Sequence, residues 1–190
     1  MALNPHDYRG YIEGWSSDIL PYYHDLAPKL PVGGVFVEVG IYRGRSLCYL
    51  IERLHELGNF TIVSAVDNWD WHPEDWDKFI ENLRSTGLAS SVCCEMGGSV
   101  SAAEWRKNES IDFCFLDASH DYENVKADLT AWWPKIKPGG VFAGHDYSGV
   151  APDNPHRGVA VAVDEFFKAR GHHNLISNPK NTTIWEVTKP

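Results

Sequence analysis

The stretch Val35-Phe-Val-Glu-Val-Gly-Ile-Tyr-Arg-Gly-Arg-Ser46 decides the fold of this chain. A short apolar run comes first, and a turn that contains Gly40 and Gly44 follows it. Apolar residues then recur at helical spacing over 46–57, and the pattern stops at Gly58. The stretch therefore predicts a buried β-strand, a tight turn and an α-helix in direct succession.

Short apolar runs alternate with amphipathic stretches through the rest of the chain. Further strands are predicted at 61–66, 91–95, 111–116 and 141–144, and further helices at 76–83, 121–133 and 159–169. Residues 174–177 and 182–187 flank an Asn-Pro-Lys-Asn turn, which favours a terminal antiparallel hairpin. This order predicts an α/β fold, a Rossmann-like, doubly wound, mostly parallel sheet with an antiparallel C-terminal hairpin strand.

Length and charge limit what the chain can be. Its 190 residues fit one domain, in which 1–32 form a helical, aromatic cap segment and 33–190 form the core. The net charge of -9, without a cluster of Lys and Arg, disfavours nucleic acid as a partner. The amino terminus lacks the pattern of a signal peptide, and no apolar run approaches the roughly 20 residues that a membrane span needs. We therefore expect a soluble, cytoplasmic protein.

The four cysteines have neither the spacing of a zinc site nor that of a small secreted framework. They are Cys48, Cys93, Cys94 and Cys114. All of them lie in apolar runs, which predicts reduced core residues.

Ligands of an open parallel sheet bind outside the carboxyl ends of its strands, so the residues that follow each apolar run carry the functional information. These residues are Glu38 with Gly40, then Asp67, then Glu95 with Gly97, Gly98 and Ser99, then Asp117, and finally His145 with Asp146. Acidic side chains dominate this predicted edge.

The turn after the first strand favours a cationic ligand over a pyrophosphate. Its two glycines allow close approach of backbone to a ligand, and Ser46 is a candidate helix cap. The third glycine of the dinucleotide pattern is missing, and Glu38 precedes the first glycine, where it would repel a pyrophosphate but attract an amino group or a sulfonium. The alternative is a plain strand-to-helix turn with a solvated glutamate.

Asp67 ends the second predicted strand, where a carboxylate can accept both hydroxyls of a ribose. The alternative is a helix cap before Asn68. Taken together with the first turn, the position favours a nucleoside site.

The sequence resembles a known family most clearly in its second half. The segments are Ile111-Asp-Phe-Cys-Phe-Leu-Asp117-Ala-Ser-His120-Asp-Tyr122, Lys137-Pro-Gly-Gly140 and Gly144-His-Asp-Tyr147. They resemble class I S-adenosylmethionine-dependent methyltransferases, in particular the small-molecule O-methyltransferase-like group with macrocin O-methyltransferase and cephalosporin-hydroxylase-like relatives. The resemblance spans about 33–170 and implies methyl transfer to a small molecule, with a hydroxyl as the expected acceptor.

Cofactor contacts follow from the resemblance by position. Glu38, Gly40, Gly44 and Ser46 would hold the methionine end of S-adenosylmethionine, Asp67 its ribose, and Gly98 and Ser99 the adenine side, with Asp117 also at the cofactor. Arg43 and Arg45 depart from the family pattern, and we expect them at the surface rather than on an anionic substrate.

Acceptor activation is the second implication. The resemblance implies Asp117 as a divalent-cation ligand and His120 as the general base. Two carboxylates at neighbouring strand ends suit Mg²⁺, so Asp117 and Asp146 are the expected ligands, completed by His145 or water. The alternatives are a His120 that only begins a helix and a His145 that only packs beneath its loop.

Two aromatic or proline-rich segments, 68–76 and 148–158, are the expected walls of an acceptor pocket. The alternative is that Trp69, Trp71 and Trp76 pack the second predicted helix, 76–83, against the sheet. The cap segment 1–32 is expected to cover this pocket or to join a homodimer interface.

Two other functions remain open from the sequence. An NAD(P)-dependent oxidoreductase could use a similar sheet, although the glycine pattern, the segment 117–120 and the final hairpin disfavour it. A non-catalytic S-adenosylmethionine-binding protein could keep the whole fold and methylate nothing.

Overall fold

The computed structural model of the chain describes residues 8, 10–70, 72–149, 151, 153–179 and 182–190. The helices are α1 (Ile19–Leu26), α2 (Arg45–Glu56), α3 (Glu74–Thr86), α4 (Ser99–Glu104), α5 (Tyr122–Trp132) and α6 (Arg157–Ala169). The strands are β1 (Val35–Val39), β2 (Ile62–Asp67), β3 (Val92–Met96), β4 (Ile111–Leu116), β5 (Ile136–Gly144) and β6 (Trp185–Thr188). Trp71, a predicted pocket or packing residue, lies outside the described residues.

The strands form one sheet in the order β3-β2-β1-β4-β5-β6. The pairs among β1 to β5 are parallel, and β6 runs antiparallel to β5. The α/β, Rossmann-like prediction with a reversed last strand is confirmed. The strand order reverses between β1 and β4, and the crevice at such a reversal is where ligands bind in sheets of this kind.

Two local predictions at the end of the sheet were wrong. The first half of the predicted hairpin, 174–177, makes only one bridge, between Ser177 and Glu186, because a 3₁₀ turn at His173–Leu175 uses the neighbouring backbone groups. The predicted Lys137-Pro-Gly-Gly140 turn is instead part of β5. A register shift between Ile111 and Phe113 of β4 absorbs this irregular stretch.

Apolar side chains pack on both faces of the sheet. One cluster joins α1, α2 and α3 to the sheet, and its aromatic centre is Tyr23 against Phe36 and Phe115. The other cluster joins α4, α5 and α6 to the sheet around Trp132 and Trp185. Among the described residues, no helix combines the length and the apolarity that a membrane crossing requires.

The cysteine prediction holds only in part. Cys48 and Cys114 are buried, but Cys93 is exposed and Cys94 is half-buried on the edge strand β3. β3 lies at the edge of the sheet, and none of its five residues is fully buried. All four thiols are free.

Candidate functional site

The glycine turn after β1 is pressed against the end of β4. Gly40 has a φ of +89°, and a Cβ placed there would lie 2.0 Å from the carbonyl oxygen of Asp117. Gly44 has a φ of +78°, and its Cβ would lie 2.5 Å from the ring of Phe79. The packing of the protein itself therefore demands both glycines, whatever ligand the turn binds.

Glu38 is buried beneath this turn and is only 1% exposed. Its carboxyl accepts hydrogen bonds from the hydroxyl of Ser46, at 2.7 Å, and from that of Tyr23, at 3.0 Å. Burial, partly offset by these two bonds, raises the pKa of Glu38 to about 8. Ser46 lies inside α2 and makes no capping bond, so that part of its prediction was wrong. The structure brings Glu38 and Ser46 together, but their polar atoms bind each other.

Glu38→Gln is expected to remove a pH-dependent loss of stability. Unfolded glutamate ionises near its ordinary pKa of 4.5, whereas the folded protein keeps this carboxyl protonated up to about pH 8. Between these values the folded state binds more protons than the unfolded state, so the free energy of unfolding falls as the pH rises. The full effect is roughly 4–5 kcal/mol, from about 1.4 kcal/mol per pKa unit.

Urea denaturation near pH 5 and near pH 9 checks this expectation. The wild type should lose unfolding free energy between the lower and the higher pH, and Glu38→Gln should lose less. Glu81→Gln is the matched control, because Glu81 is exposed and only pairs with Lys78. An equal pH response of the wild type and Glu38→Gln would contradict an ionisation held back by burial.

Asp67 holds the glycine turn in place from β2. One of its oxygens accepts from the backbone N–H groups of Ile41, at 2.7 Å, and Tyr42, at 3.0 Å. The other oxygen accepts from the N–H of Trp69, at 2.8 Å. The carboxylate is half-buried, and each oxygen retains acceptor capacity beyond these bonds. Its predicted contact with a ribose stays a prediction.

The segment after β3 is open on one side. A Cβ on Gly97 or Gly98 would meet no atom within 4 Å, so there is room for a ligand against this backbone. Ser99 begins α4, and its hydroxyl oxygen accepts from the indole N–H of Trp132, at 2.9 Å. The same hydroxyl contacts the buried carboxyl of Asp128, whose pKa burial raises to about 6. Gly98 thus faces open space, whereas Ser99 is tied to α5.

His145, after β5, is surrounded by carboxylates. Its Nε2 lies 3.0 Å from Asp18 and 3.0 Å from the hydroxyl of Thr183. Its Nδ1 lies 3.5 Å from an oxygen of Asp117 and 3.5 Å from one of Asp146. Burial alone would lower the pKa of His145, but the hydrogen bonds to the three aspartates outweigh it and raise the pKa to about 12. The imidazolium therefore balances the charge of the acids around it.

Asp146 contacts two further histidines through its other carboxylate oxygen. Nε2 of His120 lies 2.8 Å from this oxygen, and Nδ1 of His156 lies 3.7 Å from it. The hydrogen bond to Asp146 raises the pKa of His120 above its ordinary value. Asp146 has a φ of +59°, a strained conformation that turns its side chain between the two histidine groups.

Three residues of this cluster were not predicted from the sequence. Asp18 comes from the segment just before α1, Thr183 precedes β6, and His156 precedes α6. Only His156 carried a signal, because it lies in the polar loop 148–158 that was expected to face a pocket. Asp18 and Thr183 have ordinary sequence surroundings, and only the fold brings them to His145.

An open cleft of about 790 Å³ lies beside His145. Its lining comes from the segment 14–18, Arg45, residues 145, 147 and 148, and Thr182 with Thr183. Residues 14–18 of the N-terminal segment therefore form one wall of this cleft, and their predicted role as a cap over an acceptor pocket stays a prediction. His120 lies on the far side of Asp146 from His145, and its side chain is 39% exposed.

The tryptophans and arginines serve packing more than the sequence suggested. Trp69 is 5% exposed and stacks on Phe79 of α3, so the packing alternative holds for it. Arg43 pairs with the carboxylates of Asp75 and Glu13. Arg45 donates to the backbone carbonyl of Tyr8, at 3.0 Å. The two arginines therefore tie the N-terminal segment and α3 to the glycine turn, which corrects the expectation that they lie free at the surface.

Comparison with known proteins gives one family match. A family model described as a methyltransferase domain matches residues 37–147, which include the glycine turn, the ends of β2 and β4, and the segment after β5. A search of curated protein sequences found no match.

Solved structures with the same fold are numerous. CalS11, a TDP-rhamnose 3'-O-methyltransferase of calicheamicin biosynthesis, aligns with a TM-score of 0.66 at 17% identity, over 90% of this chain and 78% of its own. PaMTH1 of Podospora anserina, solved with S-adenosylhomocysteine, aligns with a TM-score of 0.71 at 14% identity, over 95% and 81%. The O-methyltransferase TomG of Streptomyces achromogenes, solved with S-adenosylmethionine, aligns with a TM-score of 0.68 at 16% identity, over 98% and 87%. At these identities the likeness shows the fold.

Proposed function

The chain belongs to a family of methyltransferase domains, and on that premise we propose that it is a class I enzyme that uses S-adenosylmethionine to methylate a hydroxyl of a small molecule, with His120 as the general base. The observation that carries the proposal is the 2.8 Å contact between His120 and Asp146. This pair lies after β4 and β5, beside the strand-order reversal where the glycine turn meets Asp117. The base and the expected cofactor position therefore share one edge of the sheet.

The sheet edge beside the glycine turn has room for the cofactor. Gly97 and Gly98 leave open space beside β3, and Asp67 presents a carboxylate between this space and the turn. S-adenosylmethionine, when bound, supplies a methyl group that its positive sulfur has already activated. The carboxylate of Asp67 at this edge suits a ligand of that charge.

His120 has the geometry of an oriented base. When its Nε2–H donates to Asp146, its Nδ1 is left as a proton acceptor, because a neutral imidazole carries one hydrogen. Asp146 then fixes the tautomer and stabilises the imidazolium that forms. The acceptor hydroxyl loses its proton to Nδ1, its oxygen gains the methyl group, and the electrons of the broken carbon–sulfur bond remain on sulfur.

Magnesium fits the predicted ligand set poorly. Ligand atoms of Asp117, His145 and Asp146 lie within 4.8 Å of one another, but one of the three is an imidazole and Mg²⁺ prefers oxygen. Both nitrogens of that ring already contact carboxylates, and its own charge neutralises them. The proposed mechanism therefore contains no step that uses Mg²⁺.

The small-molecule acceptor is supported from two sides. CalS11 and TomG are O-methyltransferases of calicheamicin biosynthesis and tomaymycin synthesis by description. The net charge of -9 gives no surface suited to a polyanion.

Calorimetry followed by a transfer assay tests the proposed function. We expect S-adenosylhomocysteine to bind and NAD⁺ not to bind. Radioactive methyl groups from S-adenosylmethionine should then appear on one or more members of a panel of catechols, sugars and macrolides. Binding of NAD⁺ in place of S-adenosylhomocysteine would favour the oxidoreductase, and cofactor binding without transfer to any acceptor would favour the non-catalytic alternative.

A further inference from the structure

We propose that His120, Asp146 and His156 form a binding site for a divalent transition-series metal, Zn²⁺ being the best match, and that metal bound there stops methyl transfer. The metal-binding half follows from the arrangement of the three side chains alone. The inhibitory half rests on the proposed function, because it requires His120 to be the base.

The three ligand atoms converge on one point. Nε2 of His120 is 2.8 Å from an oxygen of Asp146, Nδ1 of His156 is 3.7 Å from the same oxygen, and all three atoms lie within 4.8 Å of one another. Tetrahedral zinc with ligands at roughly 2.0–2.1 Å separates its ligand atoms by about 3.3 Å. The two distances to the oxygen of Asp146, 2.8 Å and 3.7 Å, lie within about half an ångström of this separation, and the distance between the two histidine nitrogens is at most 4.8 Å.

The fold holds these side chains together without a metal. Gly158, at the start of α6, packs so closely on the segment after β4 that its Cβ would lie 2.4 Å from the carbonyl oxygen of His120. This contact brings His156 beside His120, and their ring centroids are 4.6 Å apart. The left-handed backbone at Asp146 aims its carboxylate between them. A preformed set loses little conformational entropy when metal binds.

Nδ1 of His156 distinguishes this set of ligands from the neighbouring set of Asp117, His145 and Asp146. It is buried and has no hydrogen-bond partner among the described residues. Both nitrogens of His145, by contrast, contact carboxylates. A buried nitrogen that points at a carboxylate oxygen without a hydrogen bond is costly unless something occupies the gap. Two imidazoles and one carboxylate suit zinc and related metals rather than Mg²⁺.

Metal at this site would abolish the proposed base. A neutral imidazole that coordinates through Nε2 carries its hydrogen on Nδ1, so Nδ1 of His120 becomes a donor. Asp146 would meanwhile bind metal instead of orienting the ring. The acceptor hydroxyl then has no group to take its proton, although the cofactor residues on β1 and β2 are untouched.

Calorimetric titration of the whole chain with Zn²⁺ tests the binding half. The wild type should bind one zinc ion. The zinc affinity of His156→Ala and of His156→Gln should be lower by more than the roughly 10–100-fold that loss of an orienting partner costs. His173→Ala is the matched control, since His173 is 53% exposed and lies outside the cluster. Mg²⁺ should give no comparable heat. Equal zinc binding by the wild type and both His156 variants would overturn the site.

Methyl-transfer rates with and without Zn²⁺ test the inhibitory half. Zinc should stop turnover of the wild type and of His173→Ala, whereas the turnover of His156→Ala should be the same with and without zinc. Affinity for S-adenosylhomocysteine should stay unchanged by zinc in every variant. Zinc could bind the wild type tightly, fail to bind the His156 variants, and yet leave wild-type turnover undiminished. That result would support the metal site but would overturn both the inhibition and the role of His120 as the base. Absence of any methyl transfer would count against the proposed function and leave the calorimetric result standing.

Discussion

His120→Ala is expected to lower turnover by about 10²–10⁴-fold, the usual contribution of a positioned general base. The side chain lies at the sheet edge and contacts Asp146 at 2.8 Å, away from Glu38, Asp67 and Gly98. Its removal therefore leaves the expected cofactor contacts intact. Single-turnover transfer rates measured in metal-free buffer give the effect, and calorimetry with S-adenosylhomocysteine should show an affinity near that of the wild type.

Two further variants sharpen this test. His120→Gln keeps a polar side chain of similar length but cannot take a proton, so it should be as slow as His120→Ala. His173→Ala removes an exposed histidine elsewhere and should retain full turnover. Wild-type turnover in either His120 variant would reject the base assignment, and a parallel loss of cofactor affinity would show that His120 shapes the cofactor site instead.

Gly40→Ala is expected to cost several kcal/mol of stability, an amount comparable with the whole free energy of unfolding of many domains, which is about 5–15 kcal/mol. The new Cβ would lie 2.0 Å from the carbonyl oxygen of Asp117, which is backbone and cannot rotate away. The φ of +89° adds strain of about 1–3 kcal/mol for a residue with a side chain. Urea denaturation followed by circular dichroism measures the loss.

Gly98→Ala is the matched control for this substitution. Gly98 lies at the same edge of the sheet, has a φ of -67°, and has no atom within 4 Å of its would-be Cβ. Its variant should unfold at nearly the wild-type urea concentration. Equal midpoints for Gly40→Ala and Gly98→Ala would show that the junction between β1 and β4 can relax, and that the glycine turn is not held as rigidly as its contacts imply.

The sequence predicted the sheet and its functional edge because both follow from local patterns. Buried parallel strands are continuous apolar runs, and the acids Asp67, Asp117 and Asp146 come directly after them. The surroundings of those side chains were harder to foresee. Glu38 differs from the other acids because it lies inside β1, where side chains alternate between the two faces of the sheet. Its carboxyl is therefore on the face of Phe36, where Tyr23 and Ser46 bind it.

Long-range partners explain what the sequence could not supply. Asp18 meets His145, and His156 meets His120, only because α1 and α6 pack on opposite faces of one sheet. Asp18 has no local pattern that marks it, and His156 was marked only by its place in the loop 148–158. The register of β5 shows the same limit at the level of the backbone. Lys137-Pro-Gly-Gly140 has the composition of a turn but forms an irregular stretch within β5, since β4 pairs with Ile136 and then with Val141.

The contact of Asp18 with both His145 and Thr183 has a consequence for biosynthesis. It joins residues that are 127 and 165 positions apart in the chain. A chain still under synthesis can form the glycine turn and pair β1 with β2 early, but His145 cannot acquire its full set of partners until residue 183 has left the ribosome. The full set of hydrogen-bond partners of that ring therefore requires segments from both ends of the fold.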